Sequence, residues 1–585
     1  MVKLTIDNKP AVVKENATIL DAAKSVGVKI PTLCHLKDIC DAGACRVCVV
    51  EIEGDDRLSA ACNTAARDGM VVHTNSRRAF DARRVCVQLA LSSHNNDCTS
   101  CIRSQNCLLQ QLARDFNILD VPYSKKIRCD KWPQDYPLIR DSSKCVNCMR
   151  CMMICEKTQS LGVWDIRGSA VHLTVNVANN KTIAESDCSL CGQCITHCPV
   201  GALRARDDTS KVFKALYDPE KIVVVQIAPA VRAAWGEDAG LGRDEATVGR
   251  MVAAVRALGA DYVFDTTFTA DLTVMEEGSE FLQRLSEKEK HQWPLFTSCC
   301  PGWVRFLKSQ YPKMIPNLST AKSPQQMFGA VTKTWFAQRM GVDPGKIFCV
   351  SIMPCVAKKY ECAIPIMNSA NHGQDVDVVI TSREFARMLS AAHVNVHGLK
   401  EEKFDDILGD GTGAGVIFGA TGGVTEAALR SAYYLATGKN PDPDAFSVVR
   451  GSFGWREATI DMDGIVVRIA IASGLANARK IIERIKNGEA EYDFVEIMAC
   501  PGGCVGGGGQ PISGEELAPQ RAPVLYNLDK GSAIRFSHEN PSIKKAYEEF
   551  FGKPLSHKSH VLLHTEHDIP FAPDDFNDFM LFSSI

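Results

Sequence analysis

The sequence lacks any long run of apolar residues. Its mean hydropathy is -0.08, and its longest apolar stretches, such as Ile222 to Ile227, fall far short of the roughly 18 residues that a membrane-spanning helix needs. The first segment, MVKLTIDNKPAVVKEN, carries Lys3, Asp7 and Lys9 among its apolar positions, so it lacks the continuous apolar stretch of a secretory signal. We therefore expect a soluble, cytoplasmic protein with no membrane partner.

An excess of charge of one sign is also missing. Lys and Arg total 66 while Asp and Glu total 69, which gives a net charge of -3. Such a chain has no general attraction for a polyanion, so we expect no nucleic acid as a partner. The 45% hydrophobic and 23% charged residues are typical of a globular protein. Because 585 residues exceed what one hydrophobic core accommodates, we expect several domains.

Cysteine is the residue present in excess. The chain has 25 cysteines, and disulfides do not persist in the reducing compartment that the missing export signal implies. Metal ligation is therefore the leading explanation. Most of these cysteines precede residue 200 and occur in groups with the spacing of metal sites.

The N-terminal segment has the pattern of a small β-rich unit. Val2, Leu4 and Ile6 alternate as in a half-buried strand, a turn follows at Asp7 to Pro10, and Thr18 to Ser25 has a helical pattern. A cysteine-rich loop comes next. In its segment DAGACRVC, the glycine would let backbone amides approach the sulfurs of a cluster.

This loop predicts a 2Fe-2S cluster, with two possible sets of ligands. The first set is Cys34, Cys45, Cys48 and Cys62. Cys40 together with Cys45 and Cys48 also fits the plant-type ferredoxin spacing C-x4-C-x2-C, which would leave Cys34 free. The spacing alone leaves both sets open.

A histidine and three cysteines form the next group. His94, Cys98, Cys101 and Cys107 have the spacing H-x3-C-x2-C-x5-C within a polar stretch of largely helical pattern. Tetrahedral zinc is one interpretation of such a set. A 4Fe-4S cluster with one imidazole ligand is the sharper interpretation, and we favour it.

Two four-cysteine runs form an internal repeat. Both have the spacing C-x2-C-x2-C-x3-C, and Pro199 follows the second run. In bacterial two-cluster ferredoxins the fourth cysteine of each run binds the other cluster. The predicted ligands are Cys145, Cys148, Cys151 and Cys198 for one 4Fe-4S cluster and Cys188, Cys191, Cys194 and Cys155 for the other. Paired zinc sites are the alternative, which the repeated runs and the terminal proline disfavour.

These clusters indicate an electron-transfer wire rather than a catalytic site. A cuboidal cluster with four protein ligands has no open coordination position, so the chemistry is expected in the remaining residues. From about residue 222 short apolar runs alternate with helical stretches such as EATVGRMVAAVRALG. The runs that predict strands are IVVVQIAP, DYVFDTT, KIFCVSIMP, VDVVITS, GVIFGA and FVEIMACP. This rhythm is typical of parallel sheets, whose functional residues lie in loops at the carboxyl ends of strands.

Three such loops contain further cysteines. They are TSCCPGW at 297–303, MPCVAKKYE at 353–361 and EIMACPGGCVGGGGQP at 496–511. We expect Cys300, Cys355, Cys500 and Cys504 to converge from these loops.

The three loops resemble the signatures of the iron-iron (FeFe) hydrogenases. Those signatures have the forms TSCCPxW, MPCxxKxxE and ExMACxxGCxxGGGxP, and this sequence matches every defining position. Larger members of that family carry 2Fe-2S, His-plus-three-Cys and double 4Fe-4S modules in the same order. Residues 525–567 look like the small-subunit region fused to the same core.

The resemblance implies a multidomain α/β and α+β architecture. Its parts would be a β-grasp 2Fe-2S ferredoxin-like domain (1–76), a helical His-plus-three-Cys 4Fe-4S domain (77–118), a bacterial two-cluster 4Fe-4S ferredoxin-like domain (138–209), a two-lobed α/β catalytic domain (220–515), a helical small-subunit-like region (522–570) and a C-terminal tail (571–585).

It also implies an H-cluster, whose 4Fe-4S unit would be held by Cys300, Cys355, Cys500 and Cys504. Cys504 would bridge to a diiron subcluster that carries CO, cyanide and a dithiolate amine. Thiolates are the soft ligands that such sites require, and the run Gly506 to Gly509 would leave space for bulky ligands. Lys358 would hydrogen-bond a cyanide, although a lone lysine in a loop is more often solvated. The other residues that the resemblance brings against the cluster are Pro229, Ala230, Gln325, Met353, Phe418 and Met498.

Cys299 is the most diagnostic residue under this resemblance. Its thiol would relay protons between the amine and a buried chain formed by Glu280, Ser319 and Glu277, with Arg284 toward the surface. These groups both donate and accept protons, as a relay requires. Without the motifs, VMEEGSEFLQRL would indicate an exposed helix face.

In the family the 2Fe-2S ligands match Cys34, Cys45, Cys48 and Cys62, which decides against Cys40. The implied cofactors are one 2Fe-2S cluster, three 4Fe-4S clusters of which one has His94 as a ligand, and the H-cluster. The remaining thiols are then structural or incidental: Cys40, Cys86, Cys129, Cys349 and Cys362.

The implied activity is the reversible oxidation of H2 to protons and electrons. The module order most resembles the catalytic subunit of NADP-reducing and electron-bifurcating hydrogenase complexes. The expected partners are a flavin- and NAD(P)-binding iron-sulfur subunit, small 2Fe-2S subunits and ferredoxin. The glycine-rich segment 409–423 has no G-x-G-x-x-G at a convincing strand-to-helix junction, so we expect NAD(P) to bind to a partner.

Three alternatives stay open at this point. A monomeric ferredoxin-linked hydrogenase has the same module order. A non-catalytic electron-transfer or scaffold subunit is the second, because the N-terminal modules also resemble the large iron-sulfur subunit of respiratory NADH dehydrogenases. A hydrogen sensor is the third. The presence of both Cys299 and Cys504 argues against the non-catalytic subunit and against the sensor. The phenylalanine-rich tail would be a docking strand or a frayed terminus.

Overall fold

The computed structural model describes residues 1–169, 173–512 and 517–567. The described chain divides into two compact units. The first comprises residues 1–186 and 193–204, and the second comprises residues 187–192 and the described chain from 205 onward. None of the helices in the described ranges combines the length and the apolar content that crossing a membrane requires. The predicted tail at 571–585 lies outside the described residues.

The first unit begins with a mixed five-stranded sheet. Its strands are β1 (Val2–Ile6), β2 (Lys9–Val13), β3 (Val49–Ile52), β4 (Ser59–Ala60) and β5 (Val71–His73), in the order β2-β1-β5-β3-β4. Helix α1 (Ile19–Ser25) packs on the core that Leu4 and Ile6 enter. Thr18 and Asp21 cap this helix reciprocally. The strand, turn and helix predicted here are confirmed.

Two helices follow, α2 (Arg77–Ser92) and α3 (Leu108–Asp115). The segment from His94 to Cys107 is the loop between them. The predicted helical stretch is therefore interrupted where the four candidate ligands lie.

Short elements make up the rest of the first unit. They are β6 (Leu138–Arg140), α4 (Arg150–Met153), the π-helical turn Ile154–Thr158, β7 (Trp164–Arg167), β8 (Thr174–Val177), α5 (Gln193–His197) and β9 (Leu203–Ala205). β6 pairs with β9, and β7 pairs with β8.

The two four-cysteine runs share a backbone conformation. In the first run Asn147 and Met149 have φ values of 48° and 65°. In the second run Leu190 and Gly192, at the same offsets, have φ values of 56° and 73°. The internal repeat of the sequence is therefore also a repeat of left-handed turns.

The second unit contains two four-stranded sheets. The first consists of β10 (Ile222–Ile227), β11 (Tyr262–Asp265), β13 (Ile347–Met353) and β14 (Val378–Thr381), all parallel in the order β11-β10-β13-β14. The second consists of β12 (Leu295–Phe296), β15 (Trp455–Met462), β16 (Ile465–Ser473) and β17 (Phe494–Met498), in the order β12-β17-β16-β15. Only the β15–β16 pair is antiparallel. The two sheets and the helices between their strands give this region the expected α/β character.

Helices surround these sheets. They are α6 (Thr209–Leu216), α7 (Val248–Ala257), α8 (Thr267–Ser286), α9 (Pro301–Gln310), α10 (Pro324–Val331), α11 (Ala337–Met340), α12 (Lys358–Glu361), α13 (Ser382–Ala391), α14 (Gly413–Ile417), α15 (Gly423–Thr437), α16 (Leu475–Lys486), α17 (Ala518–Gly531), α18 (Pro541–Ala546) and α19 (His557–Leu563), with π-helical turns at Thr332–Phe336 and Tyr547–Phe551.

The prediction that GVIFGA forms a strand is wrong. Gly415 to Ile417 belong to α14, all of whose residues are buried, and the other three residues of the run form the turn that follows this helix. A short apolar run fits a buried helix as well as a buried strand, and here close packing decides. A Cβ at Gly413 would overlap the side chain of Asp529, and one at Gly415 would lie 2.6 Å from the carbonyl oxygen of Thr267.

The C-terminal region from α17 onward is tied to the rest of the second unit by buried charges. Arg430 on α15 lies within 3.0 Å of both carboxylate oxygens of Asp529 on α17, and both residues are fully buried. A second arginine, Arg535, also donates to this carboxylate, at 2.6 Å. Because removing one member of such a network leaves an unpaired buried charge, this region is an integral part of the core.

Candidate active site and iron-sulfur centres

The four candidate H-cluster cysteines follow strand ends, as predicted. Cys300 comes after β12 and directly precedes α9, Cys355 comes after β13, and Cys500 and Cys504 come after β17. β12 and β17 are parallel neighbours in one sheet, and β13 belongs to the other. The cysteine loops of both sheets therefore meet at one site.

The electrostatics of these thiols show how close they are. Burial raises the pKa of Cys500 well above its usual range, and the charges of Cys355, Cys300 and Cys504 raise it further. The pKa of Cys504 is raised in the same way by burial, Cys300 and Cys355. Thiolates this close repel one another unless a cationic centre lies among them. Four soft sulfur ligands of this kind fit a 4Fe-4S unit.

The glycine run after Cys504 lies against protein backbone. A Cβ at Gly507 would overlap the carbonyl oxygen of Pro354, and one at Gly508 would overlap the carbonyl oxygen of Cys191. A Cβ at Gly509 would lie 2.8 Å from the backbone nitrogen of Cys355. The expectation that the run leaves space for bulky ligands is thus modified, because these glycines let the cysteine loops approach each other.

Lys358 is buried rather than solvated. Its Nζ donates to Glu361 at 2.8 Å and to the carbonyl oxygen of Cys299 at 3.2 Å. Burial works to lower the pKa of Lys358, but the charges of Glu361 and the nearby thiols raise it above its usual range. A permanently charged ammonium therefore lies beside Cys299. Glu361 was missed as a site residue, although it is the last defining position of MPCxxKxxE.

Apolar residues line the same site. Met498 and Phe418 pack in one cluster with Cys299 and Cys300, while Ala230 packs in a second cluster with Cys504. The amide of Gln325 is buried, donates to the carbonyl oxygen of Lys358 at 3.4 Å and accepts from Ser351 at 3.1 Å. Met353 is the last residue of β13 and is buried, and Pro229 begins a buried helical turn after β10.

Glu277 lies on α8 beside Cys299. Burial raises the pKa of Glu277 to about 8, and the charge of Glu280 adds to this effect. One carboxyl oxygen, Oε1, has no hydrogen-bond partner in the described part of the chain. Burial and the charge of Glu277 together raise the pKa of the Cys299 thiol well above its usual range. Both groups are therefore held in forms that keep a proton at neutral pH.

The chain of acceptors and donors continues from Glu277 to Arg284. The hydroxyl of Ser319 donates to Glu280 at 2.8 Å, and Arg284 donates to the other oxygen of Glu280 at 2.7 Å. Glu277 and Glu280 are only 1% and 7% exposed, which excludes the exposed helix face. Arg284 is buried too and also donates to the carbonyl oxygens of Pro316 and Leu318.

The catalytic loops also contact the first half of the second cysteine run. The thiol of Cys500 lies 3.6 Å from the carbonyl oxygen of Cys191. Arg305 on α9 donates to the carbonyl oxygen of Cys188 at 3.1 Å. Both contacts lie within the second unit. The predicted ligands Cys155 and Cys194 are buried in the first unit.

A cavity in the first unit matches one predicted cluster. Its lining includes Cys145, Cys148, Cys151 and Cys198, together with Arg140 and Trp164. This is the set expected from crossed ligation, in which the fourth cysteine comes from the other run.

The 2Fe-2S loop brings together Cys34, Cys45, Cys48 and Cys62. The thiol of Cys34 is hydrogen-bonded to those of Cys45 and Cys62, and these contacts lower its pKa. The sulfurs of Cys48 and Cys62 are 3.3 Å apart. Cys40 points elsewhere, with its thiol 3.9 Å from the carbonyl oxygen of Cys148. The geometry favours the set that contains Cys34.

His94 has the orientation expected of a metal ligand. Its Nδ1 lies 2.9 Å from the carbonyl oxygen of Lys144, which leaves Nε2 for coordination. Burial lowers the pKa of His94, so the ring is neutral at physiological pH. Cys101 and Cys107 are half-buried in the same loop, and Cys98 is exposed.

The five spare cysteines differ in their surroundings. Cys40, Cys349 and Cys362 are buried, as expected of structural thiols. Cys86 is half-buried and Cys129 is exposed.

Family profiles match consecutive parts of the chain. They are the 2Fe-2S iron-sulfur cluster binding domain (1–77), the NADH-ubiquinone oxidoreductase-G iron-sulfur binding region (83–122), the 4Fe-4S dicluster domain (141–202), the iron only hydrogenase large subunit, C-terminal domain (221–508), and the iron hydrogenase small subunit (515–568).

Individual proteins are similar over long stretches. NADP-reducing hydrogenase subunit HndD of Solidesulfovibrio fructosivorans is 47% identical over 583 residues, which cover 97% of this chain and 99% of the relative. Iron hydrogenase 1 of Clostridium pasteurianum is 37% identical over 559 residues, which cover 94% of this chain and 97% of that relative. Among solved structures, an apo FeFe-hydrogenase of Chlamydomonas reinhardtii is 43% identical, with a TM-score of 0.56 over 61% of this chain and 98% of that one.

Two kinds of evidence therefore agree. One is the similarity over nearly the whole length, and the other is the site, with its convergent thiols, the buried Lys358 and the Cys299–Glu277 pair. The chain belongs to the iron-only (FeFe) hydrogenase family, and it combines the catalytic domain of that family with 2Fe-2S and 4Fe-4S ferredoxin-like domains.

Proposed function

We propose that this hydrogenase catalyses H2 = 2 H+ + 2 electrons in both directions at an H-cluster held by Cys300, Cys355, Cys500 and Cys504. The observation that carries the proposal is the convergence of these thiols with Cys299 and Lys358 from the ends of strands in two sheets. An H-cluster bound there would supply an open iron position for H2 and an amine base for its heterolytic cleavage.

The protein's own groups hold and move the proton. Cys299 and Glu277 both keep a proton at neutral pH because burial raises their pKa values. Ser319 bridges toward Glu280, and Arg284 fixes the Glu280 carboxylate by a charged hydrogen bond. We infer the order Cys299, Glu277, Ser319, Glu280 and Arg284, with protons running along it in both directions.

Other residues would orient the ligands of the cluster and limit the access of water to it. Lys358 would hydrogen-bond an anionic ligand, because Glu361 fixes its ammonium beside Cys299. The residues Pro229, Ala230, Gln325, Met353, Phe418 and Met498 would wall the site. The apolar members exclude water, which strengthens the electrostatic interactions inside.

The other clusters would form the electron wire. We propose a 2Fe-2S cluster on Cys34, Cys45, Cys48 and Cys62, a 4Fe-4S cluster on His94, Cys98, Cys101 and Cys107, and two 4Fe-4S clusters on Cys145, Cys148, Cys151 and Cys198 and on Cys155, Cys188, Cys191 and Cys194. The mutual contacts of the first set, the Nδ1 contact of His94 and the shared cavity of the third set support this assignment.

We further propose that the chain is the catalytic subunit of a complex that reduces NADP. The similarity to HndD over 99% of that relative supports this acceptor. A flavin- and NAD(P)-binding iron-sulfur subunit, small 2Fe-2S subunits and ferredoxin would be the partners, and the cytoplasm the compartment. We also propose the domain limits that the sequence predicts, among them residues 1–76 for the 2Fe-2S domain and residues 220–515 for the catalytic domain.

Anaerobic infrared spectroscopy of the matured protein tests the central proposal. Sharp CO and cyanide bands, together with H2 turnover with methyl viologen, are expected. Full iron-sulfur occupancy without these bands would contradict it. H2-dependent NADP reduction is expected only when the flavin-containing partner is added, and reduction by the isolated chain would contradict the assignment of NADP to the partner.

A further inference from the structure

The segment that carries Ser319 lies between two other parts of the second unit. On one side the backbone nitrogen of Ser319 donates to the carbonyl oxygen of Phe296 in β12, at 2.8 Å. On the other side Ala321 forms an antiparallel bridge with His564. The backbone of Thr320 accepts from the nitrogen of Thr565 at 2.8 Å. The residues just after α19 thus form an isolated antiparallel bridge beside the proposed proton path.

His564 uses both ring nitrogens in this arrangement. Nδ1 lies 2.8 Å from the hydroxyl of Thr320, and Nε2 lies 3.0 Å from the carboxylate of Glu276. That carboxylate is fully buried and also accepts from the hydroxyl of Tyr547 at 2.7 Å and from the backbone nitrogen of Leu555 at 2.8 Å. Because the Glu276 carboxylate can only accept hydrogen bonds, the ring proton of His564 is favoured on Nε2. The unprotonated Nδ1 then accepts a hydrogen bond from the hydroxyl of Thr320.

Thr320 in turn contacts the proposed path directly. Its backbone nitrogen lies 3.1 Å from one oxygen of Glu280 and 3.3 Å from the other. A second histidine of the same segment, His567, lies 2.9 Å from the carbonyl oxygen of Ser319 through its Nε2. Residues 564–567 therefore hold both Ser319 and Thr320, the two residues that donate to Glu280 from this side.

We propose that His564 is a positioning residue of the proton path, which fixes Thr320 and through it the orientation of Glu280 and Ser319. In the same hydrogen-bonded chain, Glu276 fixes the tautomer of His564. The inference rests on the proton path stated under the proposed function. It assigns a role in hydrogen turnover to residues 564–567, which belong to the small-subunit-like region.

The two ring nitrogens can be separated by substitution. In His564→Asn the side-chain amide reaches the position of Nδ1 and keeps a partner for Thr320, whereas in His564→Gln it reaches the position of Nε2 and keeps a partner for Glu276. Thr320→Val removes the hydroxyl from the other end of the same hydrogen bond at nearly constant volume. His557→Ala, in the exposed first turn of α19, is the matched control.

Each holoenzyme variant is assayed for H2 evolution in H2O and in D2O. Backbone hydrogen exchange of residues 319–322 is followed in parallel, and the infrared bands confirm that the diiron site is loaded. His564→Gln and Thr320→Val are expected to slow turnover about ten- to hundredfold, raise the solvent isotope effect and speed the exchange, with unchanged bands. His564→Asn should retain most of the turnover, and His557→Ala all of it.

Two results would overturn the inference. One is a Thr320→Val enzyme with the turnover and isotope effect of the unaltered protein. The other is loss of turnover in His564→Asn equal to that in His564→Gln. Cys299→Ala, measured alongside, keeps the two proposals apart. If it remains active, the path itself fails; if it is inactive while Thr320→Val is normal, only the role of His564 fails.

Discussion

The thiol of Cys500 lies 3.6 Å from the backbone carbonyl oxygen of Cys191. One residue is a proposed ligand of the H-cluster and the other a proposed ligand of a ferredoxin-type cluster. This hydrogen-bonded contact would therefore offer electrons a short route between the two centres. The glycine run after Cys504 makes that contact possible, because Gly508 leaves room for the same carbonyl group.

Gly508→Ala is expected to disrupt this junction. The added Cβ would overlap the carbonyl oxygen of Cys191 and lie 2.6 Å from the Cα of Gly192. Overpacking of this kind costs about 1–3 kcal/mol or displaces the backbone. The measurement is the rate of electron transfer from H2 to the ferredoxin-type clusters, together with the thermal midpoint. Gly531→Ala is the control, because nothing lies within 4 Å of a Cβ there, and an equal effect of both substitutions would contradict the prediction.

Cys299→Ala is expected to lower H2 turnover by at least about a hundredfold, the usual scale of a lost proton-transfer group. The infrared bands of the diiron site should stay, because Cys299 is not a proposed ligand. Cys129→Ala, at an exposed thiol, should keep full activity. Undiminished turnover in the Cys299 variant would remove this residue from the path.

Glu277 predicts a specific pH dependence of stability. Its folded pKa is about 8 against an ordinary value of 4.5, so the folded protein retains the proton more tightly than the unfolded chain. The stabilisation is fully present below pH 4.5 and falls, by up to about 1.4 kcal/mol per pH unit, as the pH rises toward 8. Glu277→Gln lacks a titrating group. Unfolding measured across this range should therefore show the unaltered protein losing stability relative to the variant, and parallel curves would contradict a raised pKa.

The choice between Cys34 and Cys40 can be settled by electron paramagnetic resonance. Cys34→Ser is expected to lose or shift the 2Fe-2S signal, because its thiol contacts those of Cys45 and Cys62. Cys40→Ser should retain the signal, because its thiol faces Cys148 instead. The opposite pattern would assign the ligand to Cys40.

The sequence predicted the candidate site well where its residues belong to short motifs. The loops of Cys355 and Cys500 could be placed after β13 and β17 because the apolar runs KIFCVSIMP and FVEIMACP precede them directly. The two-residue strand β12 before Cys300 was too short to be predicted. The run GVIFGA misled because local composition does not distinguish a buried helix from a buried strand. Its glycines are required by contacts with residues distant in sequence, Thr267 for Gly415 and Leu525 for Gly419.

The surroundings of the proton path could not be predicted. Thr320 and His564 are 244 residues apart, and neither belongs to a recognisable motif. The burial of Glu277 and Glu280 likewise depends on how α8 is covered by distant parts of the chain. Only the three-dimensional arrangement shows that both carboxyl groups are buried and that the pKa of Glu277 is raised.

The pairing of residues 564–567 with the Ser319 segment has a consequence for biosynthesis. Translation runs from the N-terminus, and segments fold as they emerge. The backbone groups of Thr320 and Lys322 therefore lack these partners until residues 563–565 have left the ribosome. The thiol loops and α8 are made well before that moment, so the contacts that fix Thr320 and Ser319 beside Glu280 are completed only after the groups on both sides of them exist.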